Sequence, residues 1–256
     1  MHGLTIIGHR GARAHAPENT LAGLSEAAAQ GARWVEFDVK LTRDNVPILM
    51  HDETLTATTG VNRRVAETDF ADLAGLDTLP NFRLRYPRAG QDFVARHGSS
   101  PVRIPSLDAA LDLAAKLGLR LNLEIKPCPG REGETAAIAL DHALRRWPGT
   151  RPPPLISSFS RASLAVAQRA APDWPRGLLL DRIPSDWLDQ AERLDVATIN
   201  VNAARLTEPM TAMLLAAKRP VLAWTVNQPA RARLLFRWGV AGLFTDRPGL
   251  LLESAG

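Results

Sequence analysis

The chain has 256 residues, 45% apolar and only 5% aromatic, enough to bury one full core built mainly from Ala, Leu, Val and Ile. Its 31 basic and 27 acidic residues leave a mild net charge of +4, and the arginines are scattered without interleaved aromatics, which argues against a nucleic-acid surface. A lone cysteine, Cys128, excludes an internal disulfide and fits a reducing compartment, and no run approaches the ~20 apolar residues of a membrane span.

Strand-like runs are read at 4–8, 33–40, 120–125, 155–158, 177–180, 197–201, 221–226 and 242–245. Helical segments fall between them at 20–30, 107–117, 132–147, 161–170, 185–193, 208–218, 229–238 and 248–254. This alternation, at a length of about 250 residues, predicts an α/β fold: one (β/α)8 TIM barrel spanning 1–256. Ser106, Ser160 and Thr207 stand as N-caps, and Gly31, Gly118 and Gly239 as C-terminal stops. The run at 4–7 is too short for a leader's hydrophobic stretch, so a soluble, cytoplasmic protein without stable membrane association is expected. The sequence sets no oligomeric state.

One segment breaks the alternation. The strand-like stretch 47–50 follows the second strand after only Thr42-Arg43-Asp44-Asn45, too short for a parallel crossover. A hairpin is expected, turning at Asp44-Asn45 and bringing His51 back roughly level with Asp38. Residues 52–105 then show no barrel periodicity and are read as an insertion shaping the mouth of a site. Its basic, Gly- and Pro-bearing middle, 83–103, reads equally as a solvated surface loop or as a substrate-steering element.

Strand parity sorts the chemistry. Glu36 and Asp38 share one face of the second strand, while Val35, Phe37 and Val39 share the other. Asn122, Glu124 and Lys126 repeat the pattern against Leu121, Leu123 and Ile125. Buried carboxylates are costly unless something positive sits among them. A self-satisfied Glu–Lys and Asp–Arg network is the bland explanation. The sharper one makes Glu36, Asp38 and Glu124 a hard oxygen cage for Mg2+ or Ca2+. Cys128 is read as an adventitious thiol rather than a ligand.

His9 and Arg10 end the first strand, where barrels place catalytic groups. His9 and His51 are candidates to divide acid and base duties, whereas His2, His15, His97 and His142 stand in no comparable context. Arg10 offers a forked pair of donors to a phosphate, and Lys126 a point charge. Phe159 and Trp224 are the candidate substrate wall, with a core role the competing reading for Trp224; Asn200, Asn202 and Asn227 lie near strand ends, and Thr245-Asp246 reads as a cap on the closing turn.

Taken together, Gly8-His9-Arg10-Gly11, Pro17-Glu18-Asn19-Thr20, Val35-Glu36-Phe37-Asp38-Val39, Thr42-Arg43-Asp44, His51-Asp52, Glu124-Ile125-Lys126, Ser158-Phe159, Trp224-Thr225-Val226-Asn227 and Thr245-Asp246 resemble the glycerophosphodiester phosphodiesterases. The likeness runs in order over essentially the whole chain. The stretch 153–181 is similar to the cytoplasmic bacterial members in particular. The resemblance implies hydrolysis of a small glycerophosphodiester, such as glycerophosphocholine or glycerophosphoethanolamine, to sn-glycerol 3-phosphate and an alcohol. It implies metal binding by Glu36, Asp38 and Glu124, general acid and base roles for His9 and His51, and phosphate contacts from Arg10 and Lys126. Attack by the glycerol 2-hydroxyl through a cyclic phosphate would follow. The insertion departs most from the family pattern, with few aromatics (Phe82, Tyr86, Phe93), so the alcohol is left open.

Three rivals remain. A phospholipase D-like or phosphoinositide-type phosphodiesterase would need a membrane-docking stretch, which is not seen. A metal-dependent amidohydrolase would carry His-x-His where His9-Arg10-Gly11 stands. A non-catalytic phosphate-binding barrel has no cause to keep both histidines.

Overall fold

The computed structural model describes residues 5–255. Eight parallel strands close on themselves: β1 (Thr5–Gly8), β2 (Trp34–Leu41), β4 (Arg120–Ile125), β5 (Leu155–Ser158), β6 (Arg176–Leu180), β7 (Thr198–Asn202), β8 (Val221–Trp224) and β9 (Gly242–Thr245), with β9 and β2 both paired to β1. The remaining strand, β3 (Pro47–Leu49), runs antiparallel on β2. The (β/α)8 barrel and the hairpin expected from sequence are therefore both present. Leu4 and His2, on which expectations also fell, lie outside the described residues.

The barrel helices are α1 (Leu21–Ala29), α6 (Leu107–Lys116), α7 (Glu132–Arg146), α8 (Arg161–Ala170), α9 (Trp187–Arg193), α10 (Glu208–Leu215), α11 (Pro229–Arg237) and α12 (Pro248–Ala255). Ser106, Ser160 and Thr207 cap α6, α8 and α10 as expected, each side-chain oxygen accepting an N–H from the first turn. Gly31, Gly118 and Gly239 follow their helices with positive φ, as αL stops require. Strand β8 ends at Trp224, two residues short of expectation. No described helix is long and apolar enough to cross a membrane.

Parity places the core as read. Val35, Phe37, Val39, Leu121, Leu123 and Ile125 face outward into one helix layer, and Leu178, Leu180, Ile199 and Val201 into its continuation round the barrel. Inside, Ile7, Trp34, Leu155, Leu222 and Phe244 plug the floor. Above that plug the interior turns polar, because Glu36, Asp38 and Lys40 on β2 and Asn122 and Glu124 on β4 continue the inward rows.

Between β3 and α6 the chain builds a helical cap: α2 (Thr56–Thr59), a short 3-10 turn, α3 (Phe70–Ala74), α4 (Leu79–Arg85) and α5 (Pro87–His97). The surface-loop reading of 83–103 is corrected here, since most of it is α5. Pro87 was misleading because proline is well suited to a helix's first turn, where its missing N–H costs nothing. The buried Gly90 lets α5 press on α4: a Cβ there would meet Arg83 at 2.8 Å. Phe82 and Phe93 pack edge to face beneath them, with Leu79 and Ala16.

Phe37 is fully buried in the layer behind the carboxylate-bearing face of β2. We predict that Phe37→Ala lowers unfolding free energy by about 3–5 kcal/mol in a denaturant titration. A loss below ~1 kcal/mol would show that this layer does not hold β2 in place.

Candidate active site

The centre of the barrel mouth is a group of three carboxylates on neighbouring strands. Asp38 pairs in register with Glu124, and Glu36 with Asn122. One oxygen from each of Glu36, Asp38 and Glu124 lies within 4.8 Å of the others, and the residues are only 2%, 1% and 8% exposed. Asp38 is the best compensated: Arg10 Nε is 3.2 Å away, Lys126 Nζ 3.6 Å, and Asn19 Nδ2 donates at 2.9 Å. Burial alone would raise its pKa, but Arg10 first and then Lys126 hold it below the usual carboxylate range. Glu124 accepts from Lys126 at 2.9 Å, yet burial and then the neighbouring Asp38 still raise its pKa.

Glu36 is the one left short of charge. Its Oε2 accepts the Arg10 backbone N–H at 2.9 Å, while its buried Oε1 has no hydrogen-bond partner. Burial, then Asp38 and Glu124, push its pKa well above the ordinary value. An Asp–Arg and Glu–Lys network thus accounts for Asp38 and Glu124 but not for Glu36. An unpartnered buried oxygen among three convergent carboxylates is the donor set that a hard divalent ion would satisfy.

The histidines enter from two sides of this group. Barrel closure sets β9 beside β1, with Gly8 level with Thr245, so the next residues, His9 and Asp246, meet. His9 Nδ1 donates to Asp246 Oδ1 at 2.7 Å. Asp246 is fixed in turn by Asn227, whose Nδ2 donates to Oδ2 at 2.7 Å and whose Oδ1 accepts the Asp246 N–H at 2.8 Å. Burial lowers the pKa of His9 and outweighs the opposing bond to Asp246. Burial likewise disfavours charge on Asp246, but the His9 bond prevails and brings its pKa down to about 2. On the other side the hairpin delivers His51, whose Nδ1 donates to Asp52 at 2.6 Å. In both histidines a carboxylate accepts the Nδ1–H hydrogen bond, so Nε2 is the nitrogen left for chemistry.

The β1–α1 loop is wound tightly to achieve this. Arg10 and Asn19 hold φ of 51° and 54°, a left-handed conformation that non-glycine residues seldom adopt. Gly11, at φ 83°, lies so close to the α1 backbone that a Cβ would sit 2.4 Å from the Gly23 carbonyl carbon. The Arg10 guanidinium, read from sequence as a phosphate fork, also binds protein here: Nη1 donates to Glu18 at 2.7 Å. Arg13 Nε donates to the other Glu18 oxygen at 2.6 Å.

These groups surround a cavity of about 280 Å³. Among the expected site residues, His9, Arg10, Glu36, His51, Glu124, Lys126, Phe159 and Trp224 line it, and Asp38 lies behind them. Phe159 and Trp224 meet edge to face at 5.5 Å, with Lys126 Nζ 5.2 Å from the Phe159 ring centre. Asn202 is turned away onto Asp181, and Asn200 bonds Thr198 inside the barrel. Cys128 is buried in the apolar cluster of Ile48 and Met50.

Four polar partners, Glu18, Asn19, Asp52 and Asp246, stand in the motifs quoted from the sequence but receive no role in the site there. Of the pair Thr245-Asp246, read as a cap on the closing turn, Thr245 does cap it, its Oγ1 accepting the Arg247 N–H at 3.1 Å, whereas Asp246 turns to His9. Barrel closure was the available signal, since it makes the first and last strand ends neighbours.

The sequence model of the glycerophosphoryl diester phosphodiesterase family matches residues 9–250. A glycerophosphodiester phosphodiesterase of Bacillus subtilis is 29% identical over 96% of this chain and 85% of its own. An uncharacterised protein of the same organism is 30% identical over 95% of both chains. Among solved structures, a phosphodiesterase of Oleispira antarctica in complex with the product sn-glycerol-3-phosphate superposes with a TM-score of 0.88. It is 33% identical, covering 98% of this chain and 96% of that one.

The His9–Asp246 bond predicts a measurable shift. Because the carboxylate favours the imidazolium, Asp246→Asn should lower the His9 pKa still further, as followed by ring-nitrogen NMR titration. A His9 pKa that rises or stays in place would mean that the bond does not govern this imidazole.

Proposed function

This chain belongs to the glycerophosphoryl diester phosphodiesterase family, and on that footing we propose that it hydrolyses small glycerophosphodiesters to sn-glycerol 3-phosphate and an alcohol, using His9 and His51 as the acid–base pair. The observation that carries the reading is the pairing of two Nδ1-anchored imidazoles with a carboxylate group that is one cation short.

Glu36, Asp38 and Glu124 would hold Mg2+ or Ca2+, since the unpartnered Glu36 oxygen and the all-oxygen set suit a hard ion. When bound, such an ion offsets the negative charge of the phosphoryl group. The chain's own residues do the rest. Lys126 stays protonated, because Asp38 and Glu124 raise its pKa against burial, and it contributes a fixed positive charge to the phosphate pocket. Arg10, clamped by Glu18 and Asp38, adds a second fixed charge and spends no side-chain entropy on ordering when substrate arrives. His9 is neutral at pH 7, the form that takes a proton at Nε2 from an attacking hydroxyl. His51 lines the same pocket and would exchange a proton with the other oxygen. With a 2-hydroxyl on the glyceryl half as nucleophile, its oxygen bonds to phosphorus as the bond from phosphorus to the alcohol oxygen breaks and the alcohol leaves with a proton from the second histidine. Water then adds to the cyclic phosphate and its bond to the 2-oxygen breaks, the two histidines exchanging roles. Phe159 and Trp224 wall the cavity and exclude water from one side.

An assay that couples release of sn-glycerol 3-phosphate to its oxidation, over a panel of glycerophosphodiesters with Mg2+ or Ca2+ and with EDTA, tests this directly. Release that EDTA abolishes is expected; none from any diester with either ion would overturn the reading. Glu36→Ala should lose calorimetric ion binding and turnover together. His51→Ala should keep ion binding and lose about 100- to 10,000-fold in kcat. Full turnover in both variants would place the site elsewhere.

A further inference from the structure

The walls around the pocket carry information about the alcohol that leaves. The cavity at the barrel mouth holds about 280 Å³, and with the glyceryl half that all such diesters share set against its floor, the variable half would extend toward the rim. On the α1 side that rim is Arg13, which also lines a narrow groove between the β1–α1 loop and the helical cap, walled by Glu18, Asn81, Arg85 and Tyr86.

Two features of this route are unfavourable to a cation. Among the described residues Glu18 is the only acid lining the groove, and three guanidiniums already share it: Arg10 at 2.7 Å, Arg13 at 2.6 Å and Arg85 at 3.8 Å. Arg10 is also neutralised by Asp38 at 3.2 Å and Arg13 faces Asp246 at 3.7 Å, so the surplus along the groove wall is the one positive charge by which Arg13 and Arg85 exceed Glu18. A quaternary ammonium is ordinarily held over aromatic ring faces. Here the Tyr86 face carries the Arg85 guanidinium at 5.6 Å, and the Phe159 face carries Lys126 Nζ at 5.2 Å. The protein's own cations thus occupy two of the ring faces along this route, and the Trp224 ring, packed edge to face on Phe159, is the one that stays free of them. Arg85 is half exposed, so its charge is available to a group at the rim.

We propose that the preferred leaving alcohol bears a negative charge, such as one carrying a second phosphate, and that Arg85, with Arg13, sets this preference. The inference rests on the glycerophosphodiester hydrolysis proposed above and names the substrate class within it.

The test compares initial kcat/KM for bis(glycerophospho)glycerol, whose leaving alcohol is anionic, with that for glycerophosphocholine, at low ionic strength and saturating Mg2+. The anionic substrate should lead by roughly tenfold, and added salt should narrow the gap. In Arg85→Glu the ratio should fall by about five- to tenfold, since the substitution reverses one charge at the rim. Glycerophosphocholine equal or ahead in the unaltered enzyme, or a ratio that Arg85→Glu does not move, would overturn this inference while leaving the hydrolytic reading intact. Absence of turnover on both diesters would instead strike the hydrolytic reading, and this one with it.

Discussion

Three carboxylates buried within 4.8 Å of one another are the constraint on which the rest of the molecule turns. Uncompensated, such a group opposes folding, because each charge is desolvated and each repels the other two. The protein answers with Arg10 and Lys126, both nearly buried themselves, and with the Asn19 amide. These partners satisfy Asp38 and Glu124 and stop there. The remaining deficit sits on one oxygen of Glu36, which is left buried without a hydrogen-bond partner.

That deficit explains why the scaffold is so tightly determined around the first loop. Arg10 must reach Asp38 with its side chain and Glu36 with its backbone N–H. This demands a left-handed turn at Arg10 and a residue without Cβ at Gly11, pressed onto α1. Barrel closure supplies the rest of the frame. The first and last strands pair, and Asp246 at the end of one orients His9 at the end of the other. Groups separated by 237 positions in the chain thus form a single hydrogen-bonded unit. The helical cap contributes differently: it packs on its own small core and sets cationic side chains at the rim, where substrates of one fold can be told apart without altering the centre.

Much of this was legible beforehand for a simple reason. Period-two alternation in β2 and β4 encodes which side chains turn inward, and that parity survives any detail of packing, so Glu36, Asp38, Glu124 and Lys126 were assignable together. The short Thr42–Asn45 connection left only a hairpin, which fixed where His51 returns. The α5 helix was misread because its Gly and Pro look like loop punctuation, whereas in place one opens the helix and the other permits close packing on α4.

What the amino-acid sequence determined by itself is therefore the alternation of elements, the inward and outward rows of each strand, and the set of charged residues at strand ends. These depend on local periodicity and connection length, which the chain carries residue by residue. What only the tertiary structure decided is who partners whom. Asp246 with His9, Glu18 shared among Arg10, Arg13 and Arg85, and the Glu36 oxygen with no partner at all are consequences of barrel closure and of loops meeting across the mouth. Hydrogen bonds and charge compensation act over a few ångströms, so they follow spatial neighbourhood, and no spacing along the sequence encodes that.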